Sequence, residues 1–278
     1  MGVKTSHYYW LVAPAALMVA IFFLYPLAFS LYSAVSAESG QFTLAHLEKI
    51  FELYSTDILF TLIIVLSSVV ILAVLSISIA ALITLSPFRS VVTLLGFLYR
   101  LPLFIPFIVT AQMMRTFLAK NGLMNNAFIA SGLMTPMDTV SFLGWSGIII
   151  TFVWKQLAFT TLLISGAMAA LDESQIRAAR NLGASRVRIL INIILPQVAP
   201  TIGVSLVLST VTMMSVLSVP LMIGTGTPTM ISADMAFRVN SYGDYSVANA
   251  LGLVSYVLCA GLAWFYLRQS LEDKGVRS

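Results

Sequence analysis

From Ile58 to Phe88 the chain carries no Asp, Glu, Lys, Arg or His. An uncharged run of this length has few places to go. About 20 apolar residues span the hydrocarbon core of a bilayer, and a helix satisfies its own backbone groups there. The rest of the chain agrees, since 59% of its 278 residues are hydrophobic and 9% charged. With a mean hydropathy of +0.96, an ordinary soluble domain is excluded.

Six candidate spans follow, at roughly 8–33, 58–84, 91–113, 145–169, 198–223 and 246–267. The expected architecture is an all-α, multi-pass integral membrane protein, with residues 1–278 forming one membrane domain. Tyr8, Tyr9, Trp10, Tyr32, Trp145, Phe265 and Tyr266 flank span ends, as expected at headgroup depth. Met1–Ser6 matches the loose myristoylation pattern, but the apolar run from Tyr8 already anchors the chain. That first run is too long for a signal peptide and reads as an uncleaved helix.

Orientation follows from the basic residues. With both termini cytoplasmic, the inner segments hold Lys4, Arg89, Arg177, Arg180, Arg186, Arg188, Arg268, Lys274 and Arg277. The outer segments hold Lys49, Arg115, Lys120 and Arg238. This is a positive-inside distribution, and it places 170–197 in the cytoplasm. The outer segments are then 34–57, 114–144 and 224–245. "TLAHLEKIFELY" in the first, beside Glu38, Glu48, Glu52 and Asp57, has the spacing of a short amphipathic helix.

The inner stretch "RAARNLGASRVRILINIILP" (177–196) concentrates positive charge as no other does. Asp172 suits a helix cap, with Glu173 in the first turn and Gln175 at the reciprocal position of a capping box. Gly183 suits a left-handed stop. Ser185 would cap a second short helix over 186–194, and Pro196 would open the next span. Ala178, Ala179 and Gly183 permit close approach of another backbone, ringed by Arg177, Arg180, Arg186 and Arg188. Four arginines that only obey the positive-inside rule are the alternative.

Ala178-Ala179, Gly183, Ile193 and Leu195-Pro196 stand in a register that resembles the "EAA" loop of permease subunits of ABC importers. The six-span layout around the loop is similar too, so the resemblance covers nearly the whole chain. It implies the type I importer fold and a coupling helix over Asp172–Leu182, turning at Gly183, that sits in a cleft of a cytoplasmic ATPase. It also implies two ATPase subunits, a second permease subunit (homologous or identical), an external solute-binding protein and a bacterial-type inner membrane. Arg177 departs from the pattern by replacing its leading glutamate. That changes the charge offered to the ATPase while leaving the backbone geometry in place.

The chain has no GxxxxGK[ST] sequence, so ATP would be bound by the partner subunit. His7 and His46 lie on opposite sides of the membrane, and Cys259 is alone in an apolar run. The expectation is no catalytic residue, no metal, no cofactor of its own and no nucleic-acid partner, with lipid around the spans.

Arg100 and Lys155 fall inside spans, where charge is costly. They are either structural cations bonded to backbone carbonyls or a cationic lining for an anionic or carboxylate-bearing solute. Pro102 and Pro106 kink the third span or open backbone groups toward a cavity. Met213, Met214 and Met222 are packing or an adaptable gate. Asp234, Arg238 and Asp244 offer exposed outer charges for a binding protein.

For the solute, the spans as drawn contain no carboxylate. "AARNLGAS" and "GTGTPTMISADMAFRVNSYGDYSVANAL" resemble the polyamine, ferric-iron and oxyanion branch of the importers. An anion, a phosphonate-like solute, an iron complex or a polyamine is the reading. Alternatives are a sugar-type ABC permease, an ion-coupled secondary transporter, or a receptor-like membrane subunit.

Overall fold

The computed structural model describes residues 6–37 and 39–275. Lys4 and Arg277 of the charge distribution, Glu38 and Met1–Thr5 of the myristoylation pattern lie outside them. The described chain is helical, with one isolated bridge pairing Ser36 and Phe42.

In order, α1 (Ser6–Val19) and α2 (Tyr25–Ala34) flank a π turn, Ala20–Leu24. Then come α3 (Ala45–Leu85), α4 (Arg89–Leu98), a 3₁₀ turn at Leu101–Phe104, α5 (Phe107–Leu118) and α6 (Leu123–Ala130). A short 3₁₀ turn, Pro136–Asp138, leads to α7 (Trp145–Ala169) and α8 (Glu173–Asn181). α9 (Arg186–Ile189) and α10 (Leu195–Ser215) flank a second π turn, Leu190–Ile194. α11 (Ser218–Ile223), α12 (Ile231–Phe237), a third π turn (Arg238–Tyr242) and α13 (Tyr245–Gly275) complete the chain.

Among the described residues five helical stretches are long and apolar enough to cross a membrane. A sixth exists only as a bent pair, Arg89–Phe104 with Phe107–Ala130, folded by 110°. The third span of the sequence reading is therefore broken. Pro102 and Pro106 remove two amide donors in succession, and Ile105, before the second proline, is extended at φ −98° and ψ 121°.

Three boundaries differ from expectation. The amphipathic segment before residue 57 is one helix with the second span, because no Gly or Pro interrupts Ala45–Leu85. Those 41 residues make a rod about 60 Å long. Residues 186–194 do not form a separate helix either, since the π turn carries them straight into α10. Pro26 and Pro196 each follow a π turn that contains the carbonyl four residues back. Widening the helix there spares the proline ring that clash. At its far end the fifth span stops at Ser215, and Ser218–Ile223 is a separate short helix.

Two compact units emerge. One comprises the chain up to Ser55 with Asp234–Val257. Its buried residues include Ile50, Tyr54, Val247, Ala250 and Leu251, and Ser30 donates to Asn249 Oδ1 at 2.9 Å.

The other comprises Thr56–Ala233 and the chain from Leu258 onward. Ile64, Leu72, Ile148, Phe152, Met213 and Ile223 form one core cluster, and Ile164, Met168, Ile189, Ile194 and Val198 a second. Met213 and Met214 are buried in the first and Met222 packs against it, which is the packing role. Serine and threonine in these spans bond carbonyls of the preceding turn, as Thr61 does to Asp57 and Ser76 to Leu72. Across helices, Thr160 pairs with Ser209 at 3.0 Å, and the Tyr266 ring lies against Gly203, where no Cβ would fit.

Candidate functional site

The loop between α7 and α10 is built from three local devices. Asp172 accepts from the Ser174 amide at 2.8 Å and the Ser174 hydroxyl at 2.7 Å. These bonds, hydroxyl first, hold its carboxyl below the usual range. At the other end Gly183 has φ +80°, and the Ala184 amide returns to the Ala179 carbonyl while that of Gly183 reaches Arg180. That pair of bonds is a Schellman stop, which needs a left-handed residue. Ser185 then accepts from the Arg188 amide at 3.3 Å and caps α9.

The reciprocal capping-box bond does not form. Gln175 Oε1 accepts instead from Gln197 Nε2 at 3.0 Å, tying α8 to the start of α10. A bond to a neighbouring helix replaces one within the turn.

The faces of α8 also sort differently from expectation. Ile176, Ala179 and Ala184 pack inward on the cluster containing Ile164, Met168, Ile189 and Ile194. Ala179 is thus used within the chain, because it lies three residues from Ile176 on the same side of the helix. Ala178, Arg180 and Leu182 face outward with Arg177, and Leu182 is 88% exposed. Arg177, at the position of the family glutamate, forms an ion pair with Glu173 one turn earlier. A carboxylate is therefore present on that face after all. The sequence reading missed Leu182, although a large apolar residue beside a left-handed glycine is a visible signal.

At the broken span, Lys155 of α7 donates from Nζ to the Pro102 carbonyl at 2.6 Å and stands 5.3 Å from the Phe107 ring centre. Both readings of the prolines meet here. The break frees a carbonyl, and the half-buried cation takes it. Arg100 is exposed, bonded through Nε to Tyr99 Oη at 3.1 Å, and lines a cleft of about 530 Å³ with Thr93, Gly96, Phe97 and Phe104.

Two further clamps were not foreseen. Asp57, at the edge of the uncharged run, is buried and accepts from the Thr229 amide at 2.5 Å. Thr61, one turn on, accepts from the Ile231 amide at 3.0 Å. Together they hold the backbone that follows "GTGTP".

The expected outer charges are not an exposed trio. Asp234 is 7% exposed, in the first turn of α12, whose Ile231 and Ala233 are buried with it. What reads as a loop is in fact helix. The Arg238 side chain is 13% exposed, bonds the Tyr54 hydroxyl and sits over the Tyr54 and Tyr242 rings at 5.2 and 5.1 Å. Asp244 bridges Lys49 at 3.2 Å and Arg238 at 3.6 Å. Burial alone would raise its carboxyl. The Val247 amide, the Lys49 bond and the two charges outweigh that and hold it below the usual range.

The family model described as "Binding-protein-dependent transport system inner membrane component" matches residues 56–271. The chain is 28% identical over 148 residues to the sulfoquinovosyl glycerol transport system permease protein SmoG of Agrobacterium fabrum, covering 47% of this chain and 48% of that one. It is 31% identical over 125 residues to the trehalose/maltose transport system permease protein MalF of Thermococcus litoralis, covering 44% and 42%. The matched stretch spans less than half the length of either relative. Its fold is that of a chain of a bacterial alginate ABC transporter crystallised with an alginate pentasaccharide-bound periplasmic protein, with a TM-score of 0.82 at 22% identity over 96% and 94% of the two chains. The chain belongs to the family of binding-protein-dependent transport system inner membrane components, the permeases of ABC importers.

Proposed function

We propose that this permease forms half of a saccharide pathway and docks a cytoplasmic ATPase through the outward face of α8. The observation that carries the docking role is that face itself. Leu182 stands 88% exposed beside Arg177, Ala178 and Arg180, on a helix fixed at both ends. An isolated apolar side chain is ordinary, but one held on a capped helix among arginines is suited to a cleft on another protein. The positive-inside distribution supports a cytoplasmic loop and cytoplasmic termini. The remaining complex is a second permease, two ATPase subunits that bind and hydrolyse ATP, and an external binding protein, in an inner membrane. One chain supplies half of what alternating access between two repeats requires.

The substrate class rests on the relatives, whose names are those of disaccharide and glycosyl-glycerol systems. The polyamine, phosphonate and iron-complex readings of "AARNLGAS" give way to the saccharide one. The test is ATP hydrolysis by the reconstituted complex with its binding protein. A neutral or acidic oligosaccharide should raise hydrolysis several-fold, whereas spermidine, phosphonate and ferric chelates should not. Stimulation by one of those three and by no saccharide would overturn the reading.

A further inference from the structure

Arg186 is not on the outward face of α8. It lines a groove of about 550 Å³ whose other walls are apolar: Ala81, Leu82 and Leu85 of α3, Phe88, Val91 of α4, and Val187 and Leu190 beyond it. Ser78 and Ser86 are the remaining lining residues. Three helices thus enclose an oily trough with one guanidinium and no carboxylate. Leu82 is 49%, Phe88 68% and Val187 65% exposed, so the trough is open along its length.

The ion pairs among the described residues engage Lys49, Arg177 and Arg238, and Arg186 has no hydrogen-bond or ion-pair partner there. The groove lies where α3 ends and α9 begins; the last turn of α3 carries no charge, and α9 carries Arg186 and Arg188. Arg89 and Arg188 adjoin lining residues, and the carboxylate of Glu173 on the loop is already paired with Arg177.

The geometry points to a binding site for one anionic diacyl phospholipid, its acyl chains along Leu82, Leu85, Val91 and Leu190 and its phosphate on Arg186. The charge of the site and the charge of the ligand are complementary, and a guanidinium grips a phosphate through paired donors. Each acyl methylene buried adds to the affinity, which a free phosphate ion lacks. The inner-leaflet placement rests on the orientation proposed above, but the site does not.

Native mass spectrometry of the full purified chain tests it, with phosphatidylglycerol, phosphatidylcholine of the same acyl chains, and inorganic phosphate as probes. Wild type should retain one phosphatidylglycerol in preference to phosphatidylcholine by about fivefold, the gain expected for one arginine near an anionic headgroup. Arg186→Gln should bring the preference to near unity, Arg186→Lys should keep most of it, and Arg188→Gln should leave it unchanged. Leu82→Trp, which fills the trough, should reduce retention of both lipids. Inorganic phosphate in large excess should not displace the lipid. Equal retention of the two lipids by wild type, or undiminished phosphatidylglycerol in Leu82→Trp, would overturn the site.

Discussion

The ammonium of Lys155, in the middle of α7, holds the carbonyl of Pro102 at 2.6 Å, so one helix is bolted to the break in another. The break costs backbone bonds, because Pro102 and Pro106 donate none. The cation offsets part of that cost. It is itself accommodated by the carbonyl and the Phe107 ring.

Lys155→Met keeps the length and removes the donor. We expect it to destabilise the permease by about 1–3 kcal/mol, the range for a lost charged hydrogen bond. The readout is the thermal midpoint in detergent. Lys155→Arg should recover part of the loss. An unshifted midpoint in Lys155→Met would show that the break holds without the bolt.

The two faces of α8 make opposite demands. Leu182→Asp should weaken capture of the ATPase at least severalfold while the permease melts as before. Ala179→Arg should lower the midpoint of the permease alone, since Ala179 packs against its own core. The same midpoint for Ala179→Arg as for wild type would return that residue to the docking face.

At Gly183 a Cβ would meet nothing within 4 Å, so any penalty comes from the +80° φ. Gly183→Val should cost about 1 kcal/mol or more and reduce coupled transport, while Gly183→Asn should be nearly silent. Equal loss for both would point to a steric role for the glycine.

Asp57 and Thr61 fasten the segment after "GTGTP" to α3. Asp57→Ala leaves the Thr229 amide without its acceptor and should cost about 1–3 kcal/mol. Hydrogen exchange at Thr229 should quicken in Asp57→Ala, and at Ile231 in Thr61→Val. Unchanged protection at both amides would remove the clamp.

The cluster of Lys49, Arg238 and Asp244 sets a pH dependence. Asp244 has a folded pKa below its unfolded value, which is about 3.9. It therefore contributes stability in full above the unfolded pKa, and that contribution is lost as pH falls through the folded value. The Val247 amide, which bonds Asp244 Oδ1 at 3.1 Å, should exchange faster as pH is lowered below about 4, after correction for intrinsic exchange. Asp244→Asn should flatten that response. A response of the same size in the variant would place its origin elsewhere.

What the sequence determined by itself is local. Asp172, Gly183 and Ser185 each act on backbone within a few residues, so their caps and turn were legible without any neighbour. The apolar runs were legible for a similar reason, because a bilayer reads hydrophobicity over one helix at a time. The fused α3 was legible in principle, since no Gly or Pro from 45 to 85 signals a break. Tertiary structure decided the rest. Which side of α8 is outward depends on where the cluster around Ile164 and Met168 stands, and periodicity alone does not choose between Ala178 and Ala179. Gln175 left its capping box because Gln197, 22 positions away, offered a donor. Lys155 and Pro102 are 53 positions apart, and Asp57 and Thr229 are 172 apart. A charge in an apolar chain must find a partner, and the sequence reports that need without reporting where the chain brings the partner.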